Sequence, residues 1–199
     1  MAPMPCTEPE LSEVERATLL AVARQSILLG LEGQRLLPPV DDYPPLLREH
    51  RASFVTLERE GDLRGCIGTL QARQPLVRDV SEHAHAAAFA DPRFLPLTRA
   101  ELSGLELHIS VLSPLTPLLF ADEHDLLRQL RPGIDGLVLR LGRQHATFLP
   151  SVWEHLPEPR RFLAQLKRKA GLPTDFWSDE LCVERYTVEI FSDPRLFAA

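Results

Sequence analysis

Three cysteines, Cys6, Cys66 and Cys182, are too few and too widely spaced for a disulfide framework. No Cys-x-x-Cys pair occurs, which argues against a zinc ribbon. Reduced thiols in a cytosolic compartment fit this usage, so a cytoplasmic location is expected. The phosphate-cradling Gly-x-x-x-x-Gly-Lys-Ser/Thr loop, the Gly-x-Gly-x-x-Gly turn and the Gly-x-Ser-x-Gly elbow are all missing. Nucleotide-dependent and serine-hydrolase readings thereby lose their usual support. The start of the chain lacks the basic and apolar stretches of a signal peptide. No apolar run is long enough to span a bilayer, so no membrane partner is expected. Lys plus Arg number 22 against 28 Asp plus Glu, a net charge of -6. That balance disfavours non-specific binding to phosphate backbones, and nucleic acid is not expected as a partner.

What is present is ordinary for a globular protein: 44% hydrophobic and 25% charged residues over 199 positions. The length suits one large domain, or a large one with a small satellite. Eighteen prolines punctuate it into well-separated elements. Residues 1–11 read as a flexible tail. Ser12 with Glu15 three residues on forms a capping box, opening a helix whose apolar face is Leu19, Leu20, Val22, Ala23, Ile27 and Leu28. Gly30 or Gly33 ends it. After a proline-rich connection, Ala52–Glu58 and Leu63–Leu70 read as a hairpin around Glu60-Gly61-Asp62. Pro75 opens a helix to about Ala90, and Leu105–Leu112 alternates as a strand. Asp122 caps a short helix that Arg131-Pro132-Gly133 breaks. Gly136–Leu141 and His145–Leu149 form a second hairpin around Gly142. Pro159–Ala170 is a helix closed by Gly171, and Val183–Phe191 alternates as one last strand. The expected class is α+β, a mainly antiparallel sheet of hairpins flanked by helices, with a smaller helical subdomain. The domain occupies residues 12–199, and the N-terminal helix with its proline-rich connection is the candidate for the smaller lobe.

The segment Leu63-Arg64-Gly65-Cys66-Ile67-Gly68 is the most informative in the chain. Strand alternation would put Leu63, Gly65 and Ile67 on one face and Arg64, Cys66 and Gly68 on the other. A guanidinium beside a thiol favours the reactive thiolate, and bare glycine lets a ligand approach the backbone. On that reading Cys66 is a nucleophile or contact residue and Arg64 holds an anionic group. The competing reading is a small buried cysteine beside a salt-bridged arginine. A catalytic thiol needs a base, most often histidine. His83, on a helix edge, and His108, on a strand, are the candidates, with no carboxylate cluster accompanying them in sequence. His83 and His85 point to different helix faces and make a poor metal pair, so no metal site and no cofactor are expected. Asp91-Pro92-Arg93 is a rigid loop that either aims Asp91 and Arg93 at a ligand or satisfies its own backbone. Arg160, Arg161, Lys167, Arg168 and Lys169 cluster around one helix. The last three fit its C-terminal dipole better than a nucleic-acid patch.

Leu63-Arg64-Gly65-Cys66-Ile67-Gly68-Thr69-Leu70 resembles the signature of the AMMECR domain family, the A component of bacterial AmmeMemoRadiSam systems. The resemblance continues in order through Phe54–Leu57, Ala86–Phe94, Glu101-Leu102, Ile109–Ser113, Pro132–Gly136, Thr147–Trp153 and Lys169–Leu172. It covers about residues 12–191. It implies an α+β fold with a larger sheet-bearing part and a smaller helical part, the signature lying near the cleft between them. It also implies relatives encoded beside a Memo-like protein and a radical SAM protein, which are then candidate partners. It carries no established reaction. The family's glycine turn often holds histidine where this chain has Asp135, which weakens a cysteine-histidine mechanism. Two functions follow. One is a small-molecule enzyme, with Cys66 and Arg64 catalytic and Gly65, Gly68, Asp91 and Arg93 binding an unknown substrate. The other is a non-catalytic module that recognises a ligand or a protein of the same system.

Overall fold

A computed structural model describes residues 11–194 and Phe197. In chain order its elements are α1 (Glu13–Gly30), α2 (Pro45–Arg48), β1 (Ser53–Arg59), β2 (Asp62–Gly68), α3 (Leu76–Phe89), β3 (Leu105–Leu112), β4 (Thr116–Pro117), α4 (Glu123–Gln129), β5 (Gly136–Leu141), β6 (Gln144–Phe148), α5 (Pro159–Lys169), β7 (Cys182–Tyr186) and β8 (Val188–Ser192). They fall into two units. The first holds the chain up to Leu112 and again from Glu189, and the second is Ser113–Val188. No described helix is long and apolar enough to cross a membrane. The expected flexible tail lies, apart from Leu11, outside the described residues; Leu11 itself is buried.

In the first unit the sheet runs β2-β1-β3-β8, and β1 pairs antiparallel with both β2 and β3. The β1–β2 hairpin turns on Glu60 and Gly61, both with positive φ (56° and 84°). That left-handed pair matches the twist of the flanking strands. Alternation then sorts the side chains. Val55 and Leu57 of β1 and Leu105, Leu107, Ile109 and Val111 of β3 are buried on one face. Each such side chain contributes roughly 1.5–3 kcal/mol by leaving water. α3 lies on that face, and α1 packs along α3. The capping box starts α1 as expected: Ser12 N–H donates to Glu15 Oε2 at 2.9 Å and Glu15 N–H to Ser12 Oγ at 3.3 Å. Gly33, with φ +72°, lets Gln34 N–H reach back to Leu29 O at 2.9 Å and closes the helix. Gly30 has a different job, since a Cβ there would fall inside the Phe89 ring. The N-terminal helix is therefore no separate lobe. Its apolar face, with Leu19, Ala23 and Ile27 fully buried, is part of the core that α3 and the sheet share.

The second unit has its own core and its own sheet, ordered β4-β7-β5-β6, with antiparallel pairing throughout. The antiparallel α+β class thus holds, while the smaller part carries four strands as well as helices. Trp153 stacks on Phe162 with ring centroids 3.7 Å apart, around Leu126, Leu137, Leu139 and Leu166. Lys167 is not one of a solvated basic row: its side chain is fully buried, and Nζ donates to Glu123 Oε1 at 3.0 Å. Asp135 is also fully buried, accepting Arg131 N–H at 2.9 Å on one oxygen and the Arg131 guanidinium on the other. It ties the turn that Gly133 opens.

The single strand expected over Val183–Phe191 is two strands in two sheets. β7 pairs with β4 and β5, while β8 lies beside β3. The switch falls at Thr187, whose N–H donates to Ser113 Oγ at 3.0 Å. Tyr186 and Val183 are both buried although alternation assigns them to opposite faces, so the pattern of one continuous strand is broken at this point.

Candidate functional site

The signature occupies β2, the edge strand of the first sheet. Its alternation is interrupted. Leu57 pairs with Gly65 but Glu58 pairs with Leu63, so Arg64 is an extra residue without a partner on β1. This β-bulge moves Leu63 onto the face of Glu58 and Cys66, which corrects the expectation that Leu63, Gly65 and Ile67 share a face. Gly65 and Ile67 do point to the helical side. Ile67 packs against the core, and a Cβ on Gly65 would collide with the Ala87 carbonyl of α3. Gly68 is likewise tight, because a Cβ there would enter the Phe54 ring and crowd Ser53 O. Close packing thus accounts for both glycines.

Freed from the ladder by the bulge, Arg64 turns to the segment after α3. Its Nε donates to Glu101 Oε1 at 2.7 Å, and Nη2 donates to Leu95 O at 2.9 Å and Glu101 Oε2 at 3.3 Å. The guanidinium also stands 5.8 Å from the Phe94 ring centre. Its Nη1 is shut off from solvent with no hydrogen-bond partner. The Arg64 guanidinium, followed by the Thr98 backbone and hydroxyl donors, holds the Glu101 carboxyl down at about 2, against burial. Glu101 entered the sequence reading only within the family blocks; it is the direct partner of Arg64.

Asp91 and Arg93 reach the same strand from the other side of that segment. Asp91 Oδ2 accepts the Cys66 N–H at 2.9 Å, and Arg93 Nη2 donates to Cys66 O at 3.2 Å. The two side chains pair with each other at 2.7 Å. Together they stand in for a missing neighbour strand, satisfying the outward-facing amide and carbonyl of an edge residue. The Arg93 side-chain hydrogen bonds, with the Cys66 and Arg93 amides, hold the Asp91 carboxyl far below the usual range despite its burial. Of the two readings of Asp91-Pro92-Arg93, these contacts match the self-satisfying loop, extended to include Cys66.

The Cys66 thiol is half-buried on the open face of the sheet, opposite the helices. Thr56, its cross-strand partner, donates its hydroxyl to Sγ at 3.2 Å. Thr56 in turn faces His108 on β3. Cys66, Thr56 and His108 form one row over three strands. The imidazole is thus two strand spacings, about 10 Å, from Cys66 along the sheet. His83 is elsewhere. Its Nδ1 lies 3.3 Å from Ser53 Oγ and 3.2 Å from Asp79 Oδ2, on the helical face. Ser53 and Asp79 meet the same ring nitrogen, and Ser53 donates its hydroxyl to Asp79 at 2.7 Å. A nucleophile-activating triad needs them on opposite nitrogens. Sequence reasoning had no signal for Thr56, whose role depends on register.

A family model described as AMMECR1 matches residues 20–191. The chain belongs to the AMMECR1 family. A protein of Methanothermobacter thermautotrophicus is 39% identical over 92% of this chain and 96% of its own length. Another, from Thermococcus gammatolerans, is 38% identical over 88% of both chains. The crystal structure of an uncharacterized Pyrococcus horikoshii protein, PH0010, superposes with a TM-score of 0.72 at 36% identity, over 89% of this chain and 92% of that one. These likenesses carry the family and the fold, and no reaction comes with them.

Proposed function

We propose that this protein is a non-catalytic recognition module of an AmmeMemoRadiSam-type system, with Cys66 a contact residue on the open sheet face. The observation that carries this reading is how the groups around the thiol are engaged. Among the described residues, no imidazole or carboxylate hydrogen-bonds Sγ; its partner is the Thr56 hydroxyl. Arg64, the expected anion holder, is already paired with Glu101, and Arg93 with Asp91. A nucleophilic thiol is activated by a base within hydrogen-bond reach or by a nearby uncompensated cation. The same contacts make the strand edge rigid, which lowers the ordering cost of binding. The ligand is a small molecule or a group on a Memo-like or radical SAM partner.

A second reading keeps Cys66 as a nucleophile, with His108 of the same cross-strand row as the candidate base. Native alkylation at neutral pH separates the two. As a recognition residue, Cys66 labels no faster than the exposed Cys182, and neither Arg64→Gln nor Thr56→Val changes its rate. Labelling at least about tenfold faster than Cys182, lost in either variant, would overturn the recognition reading and install the enzyme.

A further inference from the structure

The register of β1 on β3 places Glu58 directly opposite Glu106. Two carboxylates facing each other across a pair of strands repel and weaken the sheet. Among the described residues, the one cation-forming side chain in ion-pair range of either is His108, diagonal to Glu58 on the same face. Its Nε2 lies 3.5 Å from Glu58 Oε2 and 3.9 Å from Glu106 Oε2. That nitrogen is shut off from solvent and makes a hydrogen bond with neither. One ligand atom from each of the three residues falls within 4.8 Å of the others, the one such His/Cys/Asp/Glu set among the described residues. Ligands about 2.1 Å from one ion lie roughly 3.0–3.5 Å apart. The three residues stand on one face of two paired strands.

We infer that Glu58, Glu106 and His108 bind a divalent first-row transition ion on the open face of the first sheet. Two carboxylates with one imidazole suit Mn²⁺, Fe²⁺, Co²⁺ or Zn²⁺. Three protein ligands leave coordination positions for water or for an anionic group of a ligand. The ion neutralises the facing carboxylates and gives the buried imidazole nitrogen its partner. No metal was expected from the His83/His85 spacing; Glu106 and His108 are two residues apart on β3, and the register of β1 brings Glu58 to them. This inference stands whether or not Cys66 proves reactive.

The test is titration of the full chain, stripped with chelator, with Co²⁺ and Zn²⁺. Calorimetry gives stoichiometry and the visible cobalt bands report the ligand field. One ion per chain is expected, with affinity at least about tenfold weaker in Glu58→Gln and in His108→Ala. Glu106→Gln, at the most exposed of the three positions, covers the case in which the others fail to fold. Cys182→Ser, which removes an exposed thiol of the second unit, is expected to bind as the wild type does. Absence of stoichiometric binding would overturn the inference. So would binding that survives all three ligand substitutions, or binding lost with Cys182→Ser.

Discussion

Arg64 and Arg93 show how a residue that looks functional in sequence can be engaged by its neighbours. Each guanidinium is matched to one carboxylate, Glu101 and Asp91, and each also donates to a backbone carbonyl. Both carboxyls titrate below their ordinary values, Glu101 from 4.5 to about 2. A depressed native pKa means that the unfolded chain takes up protons first as pH falls. The stabilisation is therefore whole above the unfolded carboxyl range and is lost on acidification, for Glu101 between about pH 4.5 and pH 2. Urea midpoints measured across this range should fall steeply in the wild type and less steeply in Glu101→Gln. The variant should also be weaker at neutral pH, by about 1–3 kcal/mol, because it leaves Arg64 without its charged acceptor. A second expectation concerns Asp91→Ala. It deprives the Cys66 amide of its acceptor, at a cost of about 1–3 kcal/mol. Native-state hydrogen exchange should then show the Cys66 amide opening more readily than its neighbours on β2. Equal protection in the variant would mean that the edge is held by something other than this pair.

Elements with local signatures were legible in the sequence, and those set by a partner strand were not. The capping box at Ser12, the Glu60-Gly61 turn, the Asp122 cap and the glycine stop at Gly171 each depend on a few adjacent residues, and each is present. The bulge at Arg64 depends on how β2 is counted against β1, so alternation alone misplaced Leu63. The same limit hid Thr56 as the thiol's partner, and Glu58 as the neighbour of Glu106 and His108. Glycine in the signature was read as room for a ligand, whereas Gly65 lies where β2 meets the backbone of α3. Gly65→Ala should therefore destabilise the first unit by about 1–3 kcal/mol through overpacking. Thermal melts check this directly. An alanine tolerated without loss would show that α3 gives way, and would return Gly65 to the list of ligand contacts.

Across the whole molecule, the feature least visible in sequence is that β7 and β8 belong to different sheets. Val183–Phe191 alternates without a break in composition, yet the chain leaves the second unit at Val188 and returns to the first at Glu189. The return matters for stability. Glu189 accepts from Arg16 Nε at 2.6 Å and from the Leu11 amide at 3.3 Å, anchoring the start of α1 to β8. Beside β3, β8 also covers what would otherwise be an open sheet edge. The first unit is thus discontinuous and needs both stretches, whereas the second is one unbroken segment with its own core. Truncation after Val188 should lower the melting temperature of the first unit and raise hydrogen exchange along β3 and at the start of α1. Excised Ser113–Val188 should still melt cooperatively, with a near-ultraviolet signal from Trp153 stacked on Phe162. A fragment that keeps helical signal but shows no cooperative melt would mean that its core, though contiguous, does not suffice to fix side-chain packing.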